Sequence, residues 1–294
     1  MVYTHQDFNY IDTHVHFFPP NLFKAIWDFF ELPDDDGNPR GWSIKYKLDI
    51  SELVEFLKTE KVISFTTYNY AHKKGIAEQI NEWTNQFCKK YNEAIAFGCV
   101  WPRDDNKLEY VRKIIDEYKF QGLKLQLLVQ DFYPHDERMF EIYDLILDRG
   151  KWINMHCGTA PYSNKFVGFK HFTKMIEKFP DLNIIVAHFG AYEHEKFFKL
   201  MDKHDNLYLD TAMVFIPSNL FEKWKRDIEY PDRELLISYQ DRILYGSDFP
   251  NIPYDYEAST KGLLDLDLER SVYQKIFSEN ARKIFNIKMT TTNI

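Results

Sequence analysis

Eight short apolar runs, each followed by a stretch of helical periodicity, constrain the fold of this chain more than any other feature. The runs lie at 10–16, 62–68, 94–100, 122–127, 152–157, 183–189, 206–211 and 242–247. Between them, Ile76, Ile80, Trp83, Phe87 and Tyr91 recur at spacings of three and four, as do Leu108, Val111, Ile115 and Tyr118. That period places each set on one helix face. Gly122 and Gly150 follow helical patterns, Pro180 closes the one over 169–179, and a last pattern runs from 272 to 285. Eight strands alternating with helices is the count for a closed (β/α)8 TIM barrel, read here as a single domain over 1–294. The alternative, an open doubly wound sheet, often carries a glycine-rich phosphate loop that this sequence lacks.

The rhythm breaks once, over 31–47, where Pro33, the Asp34-Asp35-Asp36-Gly37 run, Pro39 and Gly41-Trp42 interrupt it. Following the first strand, this segment is expected on the barrel's C-terminal face as a loop able to cover a site. The Thr-rich tail over 287–294 reads as frayed. A net charge of −8 argues against nucleic-acid and anionic-membrane partners, since no basic excess exists to neutralise phosphates. Cys88, Cys99 and Cys157 form no C-x-x-C pair, which fits reduced thiols in a cytoplasmic protein. No leader-like segment and no apolar run of 18 residues is visible. The expected partner is a small-molecule substrate, with a homodimer as the default assembly.

The polar residues that end the strands carry the chemistry. Asp12, His14 and His16 alternate along the first strand and are expected on one side of it. Strand five ends at His156, strand six at His188 and strand eight at Asp248. In a barrel of this kind, chemistry is assembled at these C-terminal ends. His14, His16, His156 and Asp248 offer three nitrogens and one oxygen, a set suited to zinc or another first-row divalent ion with a position left for water. Lys124, inside strand four, must find a partner or lose its charge. It could bind a substrate carboxylate, pair with an aspartate, or bridge two metals once carboxylated. His72, after strand two, is a further substrate-contact candidate, whereas His5, His135, His171, His194 and His204 read as surface residues.

Together, Asp12-x-His14-x-His16, Gly122-Leu123-Lys124-Leu125, His156-Cys157-Gly158-Thr159, Ala187-His188-Phe189-Gly190 and Tyr245-Gly246-Ser247-Asp248-Phe249-Pro250 resemble the amidohydrolase superfamily. More narrowly, they resemble the amidohydrolase-related metal-dependent hydrolases that include the aminocarboxymuconate-semialdehyde decarboxylase group. Asn280-Ala281-Arg282-Lys283-Ile284-Phe285 is similar to that group's closing helix, so the likeness spans the chain. The resemblance implies His14, His16, His156 and Asp248 as ligands of one divalent metal, with His188 as acid/base or substrate polariser. Binuclear relatives add a second metal through a carboxylated lysine and the strand-six histidine, here Lys124 and His188. Relatives often continue the strand-four element with His-Pro, whereas this chain has Gln126-Leu127.

The first functional expectation is hydrolysis of an amide, ester or lactone by a metal-activated water, with Asp248 moving the proton and His188 stabilising developing charge. The second is nonoxidative decarboxylation of a small aromatic or unsaturated carboxylate. Arg103, His72 and Lys124 are the available groups for gripping an anionic substrate. Asp12 is expected to orient a ligand imidazole. A third class, a barrel keeping its metal for structure alone, is disfavoured by the His188–Asp248 pair. Zinc is the expected ion, although manganese, iron and nickel suit the same donors.

Overall fold

The computed structural model describes residues 3–33, 37, 41–160, 163–216 and 231–287. Nine strands occupy the eight predicted runs: β1 (Tyr10–Asp12), β2 (Val62–Thr66), β3 (Ala94–Ile95), β4 (Phe97–Gly98), β5 (Gly122–Gln126), β6 (Trp152–His156), β7 (Asn183–Val186), β8 (Leu207–Asp210) and β9 (Ile243–Leu244). β3 and β4 are halves of one stave, parted at Ala96. β1, β2 and β3 pair in that order, and β4 through β9 pair in chain order. Every pairing is parallel. The seam between first and last staves is closed by the chain beyond β1. There Thr13 N–H donates to the Tyr245 carbonyl at 2.9 Å and His16 N–H to that of Phe249 at 2.7 Å. On the other side of the seam, Asp248 N–H reaches the His14 carbonyl at 2.9 Å. The fold is a TIM barrel.

Alternation along the staves sorts the side chains. Trp152, Asn154 and His156 face inward, while Ile153, Met155 and Cys157 join the core beneath the helices. The barrel's lower interior is a plug of Ile11, Tyr68, Ile95, Phe97, Trp152, Ile185, Tyr208 and Leu244. Phe285, on the closing helix Asn280–Phe285, seals it from the N-terminal end, 5.7 Å ring to ring from Phe97. Directly above the plug the interior turns polar, and the site begins there. The helix stripes also fall as predicted: Ala77–Lys90 buries Ile80 and Phe87, and Lys107–Asp116 buries Val111 and Ile115. Among the described residues, no helix is long and apolar enough to cross a membrane.

Two sequence expectations need correction. Asp12 does not share a side with His14 and His16, because the strand ends at Asp12 and the chain bends at Thr13 before the two histidines. Ile11 therefore faces inward, and Asp12 faces the helix layer. His5 is buried, not surface. It stacks on Tyr10 at 4.7 Å, and its Nδ1 lies 2.9 Å from Thr260 Oγ1. Of the 31–47 excursion, positions 34–36 and 38–40 lie outside the described residues, as do 161–162 and tail positions 288–294. The described end of the excursion packs on the chain just past Asp248. Trp42 Nε1–H donates to the Asn251 carbonyl at 2.8 Å, and Lys45 N–H to that of Ile252 at 3.0 Å.

Candidate active site

His14, His16 and Asp248 meet at the C-terminal mouth of the barrel, where the first and last staves join. One ligand-type atom from each lies within 4.8 Å of the others. Asp248 Oδ1 stands 2.8 Å from His16 Nε2 and 3.4 Å from His14 Nε2. Both rings are buried, and the Asp248 side chain is 16% exposed, so this edge of the cluster opens upward. Gly246 makes the junction close enough. A Cβ there would stand 2.7 Å from His14 Cβ.

The hydrogen-bond partners fix where the protons are. His14 Nδ1 faces Asp210 Oδ2 at 2.9 Å, His16 Nδ1 the Tyr68 carbonyl at 3.0 Å, and His188 Nδ1 the Ala212 carbonyl at 2.8 Å. Carboxylate and carbonyl oxygens only accept, so each Nδ1 carries the proton and each Nε2 of a neutral ring is bare. For His14 and His16, those bare nitrogens are the atoms turned toward the Asp248 carboxylate. Lone pairs against an anion repel unless a proton or a metal cation lies between them. The donor set therefore fits a divalent ion. Burial pushes the Asp248 carboxyl up, but where a proton fills that gap the His16 Nε2–H hydrogen bond and the charge on the neighbouring His14, His16 and His188 outweigh it and hold the group well below the usual carboxylate range.

Beneath the cluster runs a buried polar tier. Lys124 Nζ–H donates to Asn154 Oδ1 at 2.6 Å and faces the bare His14 Nε2 at 3.2 Å, while its ammonium lies 5.0 Å from the centre of the Tyr68 ring. Burial lowers this lysine to about 8, against the pull of Asp210 and Asp248. Asn154 Nδ2–H donates in turn to Asp210 Oδ2 at 3.1 Å. Parallel register pairs Lys124 with Asn154 and Gln126 with His156, which is why each couple is bonded.

His156 stands apart from the trio. Its ring meets His188 at 4.7 Å, not Asp248. Gln126 Nε2–H donates to His156 Nδ1 at 3.1 Å, which leaves His156 Nε2–H to donate to the Ala160 carbonyl at 3.1 Å. This tautomer is opposite to that of the other three rings. His188 itself sits on a left-handed turn: His188, Phe189, Gly190 and Ala191 have φ of 56°, 53°, 74° and 54°. Each non-glycine residue there costs about 1–2 kcal/mol, so the surroundings must over-determine the turn. His188 N–H is held at 2.9 Å by Asp210 Oδ1. Gly158 permits the close approach, since a Cβ on it would meet the Gly190 backbone at 2.6 Å.

The sequence profile of the Amidohydrolase family matches residues 11–287. The chain belongs to the amidohydrolase family. Solved structures similar to this amidohydrolase-family chain include an uncharacterised TIM-barrel protein from Bordetella bronchiseptica, with 15% identity and TM-score 0.70, covering 95% of this chain and 99% of that one. A 5-carboxyvanillate decarboxylase from Novosphingobium aromaticivorans, complexed with manganese and 4-hydroxy-3-methoxy-5-nitrobenzoic acid, is 15% identical with TM-score 0.65 and coverage of 97% and 99%. A probable 2-pyrone-4,6-dicarboxylic acid hydrolase from Acinetobacter baumannii, with citric acid bound, is 12% identical with TM-score 0.65 and coverage of 95% and 100%. No curated protein matches. At these identities the solved structures speak for the fold alone.

Against this amidohydrolase frame, the remaining candidates sort by position. Asp12 touches no imidazole. It accepts the His14 and Ser247 backbone N–H groups, each at 3.1 Å, and the Tyr256 hydroxyl at 2.7 Å, and burial raises it to about 7. It thus holds His14 through the main chain; the ring is held by Asp210, a residue the strand-end reading passed over. Its signal was present: Leu207-Tyr208-Leu209-Asp210 ends an apolar run with a carboxylate, as strand eight does. His72 is exposed on the loop after β2. Arg103 lies over the Trp101 ring at 5.2 Å and donates to the Gln130 and Asp131 carbonyls at 3.3 and 2.7 Å, which ties it to the loop after β5.

Proposed function

We propose that this amidohydrolase-family protein is a metal-dependent hydrolase of an amide, ester or lactone bond in a small molecule. The observation that carries the reading is the pair of bare Nε2 atoms, on His14 and His16, turned onto the Asp248 carboxylate. On this reading His14, His16 and Asp248 hold one divalent ion, zinc by first expectation, and His156 is the fourth donor once its ring is released from both Gln126 and Ala160. A single ion is supported by Asp210, whose two oxygens already accept four hydrogen bonds and have no lone pair left for the His14–His188–Asp210 cluster. Lys124, held by Asn154, is then a buried counter-charge and not a metal bridge.

When bound, such an ion polarises a carbonyl and makes water more acidic. The protein's own groups do the rest. Asp248, partly open to the mouth, accepts the proton of the attacking water at a carboxylate oxygen and returns it to the leaving group. His188, with Nδ1–H tied to Ala212, presents Nε2 to the same space and steadies charge developing on the substrate oxygen once that nitrogen is protonated. Arg103 and His72 lie on C-terminal loops, where they can meet an anionic substrate.

Nonoxidative decarboxylation is the second reading, kept by the likeness to a solved manganese-containing decarboxylase. The two are separated by incubating zinc- and manganese-loaded protein with a panel of lactones, esters and amides and a panel of carboxylated aromatics. Cleavage in the first panel with no carbon dioxide from the second is expected. Carbon dioxide release without any hydrolysis would overturn hydrolysis in favour of decarboxylation.

A further inference from the structure

We infer that Asp210 is a positioning residue that sets the metal-facing His14 and the acid/base His188 from a single buried carboxylate. The inference rests on the proposed metal reading, in which Asp210 serves only to argue for a single ion, and gives this residue a role in placing both histidines. Asp210 is fully buried at the end of β8, between the stave that carries His188 and the last stave, whose extension carries Asp248. Its two oxygens divide the work. Oδ2 accepts His14 Nδ1–H at 2.9 Å and Asn154 Nδ2–H at 3.1 Å. Oδ1 accepts the backbone N–H of His188 at 2.9 Å and of Ala212 at 3.2 Å. All four partners are donors, which only an ionised carboxylate can serve in full.

Each half has a consequence for the site. Through Oδ2, the carboxylate fixes His14 with its proton on Nδ1 and so leaves Nε2 bare on the Asp248 side. Through Oδ1, it anchors the first residue of the left-handed turn, and the Ala212 carbonyl, on the loop that follows Asp210 itself, holds the His188 ring. The two histidine rings then lie 4.7 Å apart at a 34° tilt. Loss of this one side chain therefore disturbs the metal side and the proton-transfer side together. A residue important only for packing would do neither.

Asp210→Asn is the discriminating change, because it keeps the shape and replaces one acceptor oxygen with a donor. With the amide nitrogen toward His14, the ring must accept at Nδ1 and move its proton to Nε2, which removes the ligand lone pair. With the nitrogen toward His188, the turn loses its anchor. The first arrangement keeps the backbone bonds of the turn, so it is the expected one.

The test has two arms. Zinc and manganese affinities of metal-stripped protein are measured by competition with a chromophoric chelator, for wild type, Asp210→Asn and Gly98→Ala. Gly98→Ala overpacks the helix side of the third stave, where a Cβ would stand 2.3 Å from Ile114 Cδ1, and controls for lost stability. Asp210→Asn is expected to weaken binding by about 10–100-fold, the range for groups that orient ligand histidines, and Gly98→Ala to leave it within about twofold. The second arm reads the His14 tautomer of metal-free protein from long-range imidazole 15N–1H correlations: Nδ1–H in wild type, Nε2–H in Asp210→Asn. Wild-type His14 protonated on Nε2 would overturn the inference even if the variant failed to fold. So would unchanged affinity together with an unchanged tautomer in a folded variant. If wild type binds neither ion, the metal reading fails, and the tautomer arm still decides the role of Asp210.

Discussion

Gly246→Ala probes the junction on which the cluster depends. The new Cβ would stand 2.7 Å from His14 Cβ and 3.3 Å from Ala212 Cβ. Ordinary contact begins near 3.4 Å, so His14 must retreat by about 0.7 Å. It cannot do so freely. Its backbone N–H is held by Asp12, its carbonyl by Asp248 N–H and its ring by Asp210. Overpacking of this kind costs about 1–3 kcal/mol, a few degrees of Tm in a chain of this size. The retreat also pulls His14 Nε2 from the point it shares with His16 and Asp248, and metal affinity should fall by about tenfold or more. Calorimetry of metal-stripped protein and chelator competition with zinc measure the two effects separately. Gly98→Ala should lose similar stability yet keep its affinity. If Gly246→Ala loses stability and still binds zinc within about twofold of wild type, the His14 position does not control the site, and the reasoning fails.

Further outcomes follow from the same geometry. His16→Ala should abolish measurable zinc binding, whereas His156→Ala should weaken it by only about tenfold, because the His156 ring must first leave Gln126 and Ala160; equal losses in a titration would contradict that difference. Zinc at about 100 times its dissociation constant should stabilise the protein by about 2.7 kcal/mol, reversibly with chelator, as read by thermal melts. Metal-free protein should lose stability on acidification from about pH 6.5 toward 5. Burial lowers His5, His14 and His156, so the unfolded chain binds more protons at these three positions than the folded one in that window. Asp12, raised to about 7 by burial, opposes them with a single proton. A denaturant series whose midpoint rises on acidification would show that these histidines do not dominate.

The sequence was sufficient for the barrel because each stave is an apolar run ended by a turn signal, a pattern that depends on neighbours alone. The clustering of His14, His16 and Asp248 was readable for the same reason: each lies just past the end of a stave, and the barrel's geometry brings stave ends together. What escaped depended on contacts between staves. The bend at Thr13, which turns Asp12 away from the histidines, comes from how the chain beyond β1 hydrogen-bonds to the last stave. The tautomer of His156 is set by Gln126 on the neighbouring stave, through a register that no single strand reveals. The left-handed turn at 188–191 contains one glycine among four residues, so composition gives little sign of it. Asp210 was visible as a strand-end carboxylate, but its four donors come from the chain beyond β1, from β6, from the turn after β7 and from its own loop after β8.

The central claim is one divalent ion held by His14, His16 and Asp248. Its most direct test is the metal content of the purified protein, by elemental analysis, for wild type and for Asp248→Asn after both are stripped and reloaded with zinc and desalted. About one equivalent per chain in wild type, and almost none in the variant, is the predicted result. Two equivalents, or none in wild type, or an undiminished equivalent in Asp248→Asn, would contradict it.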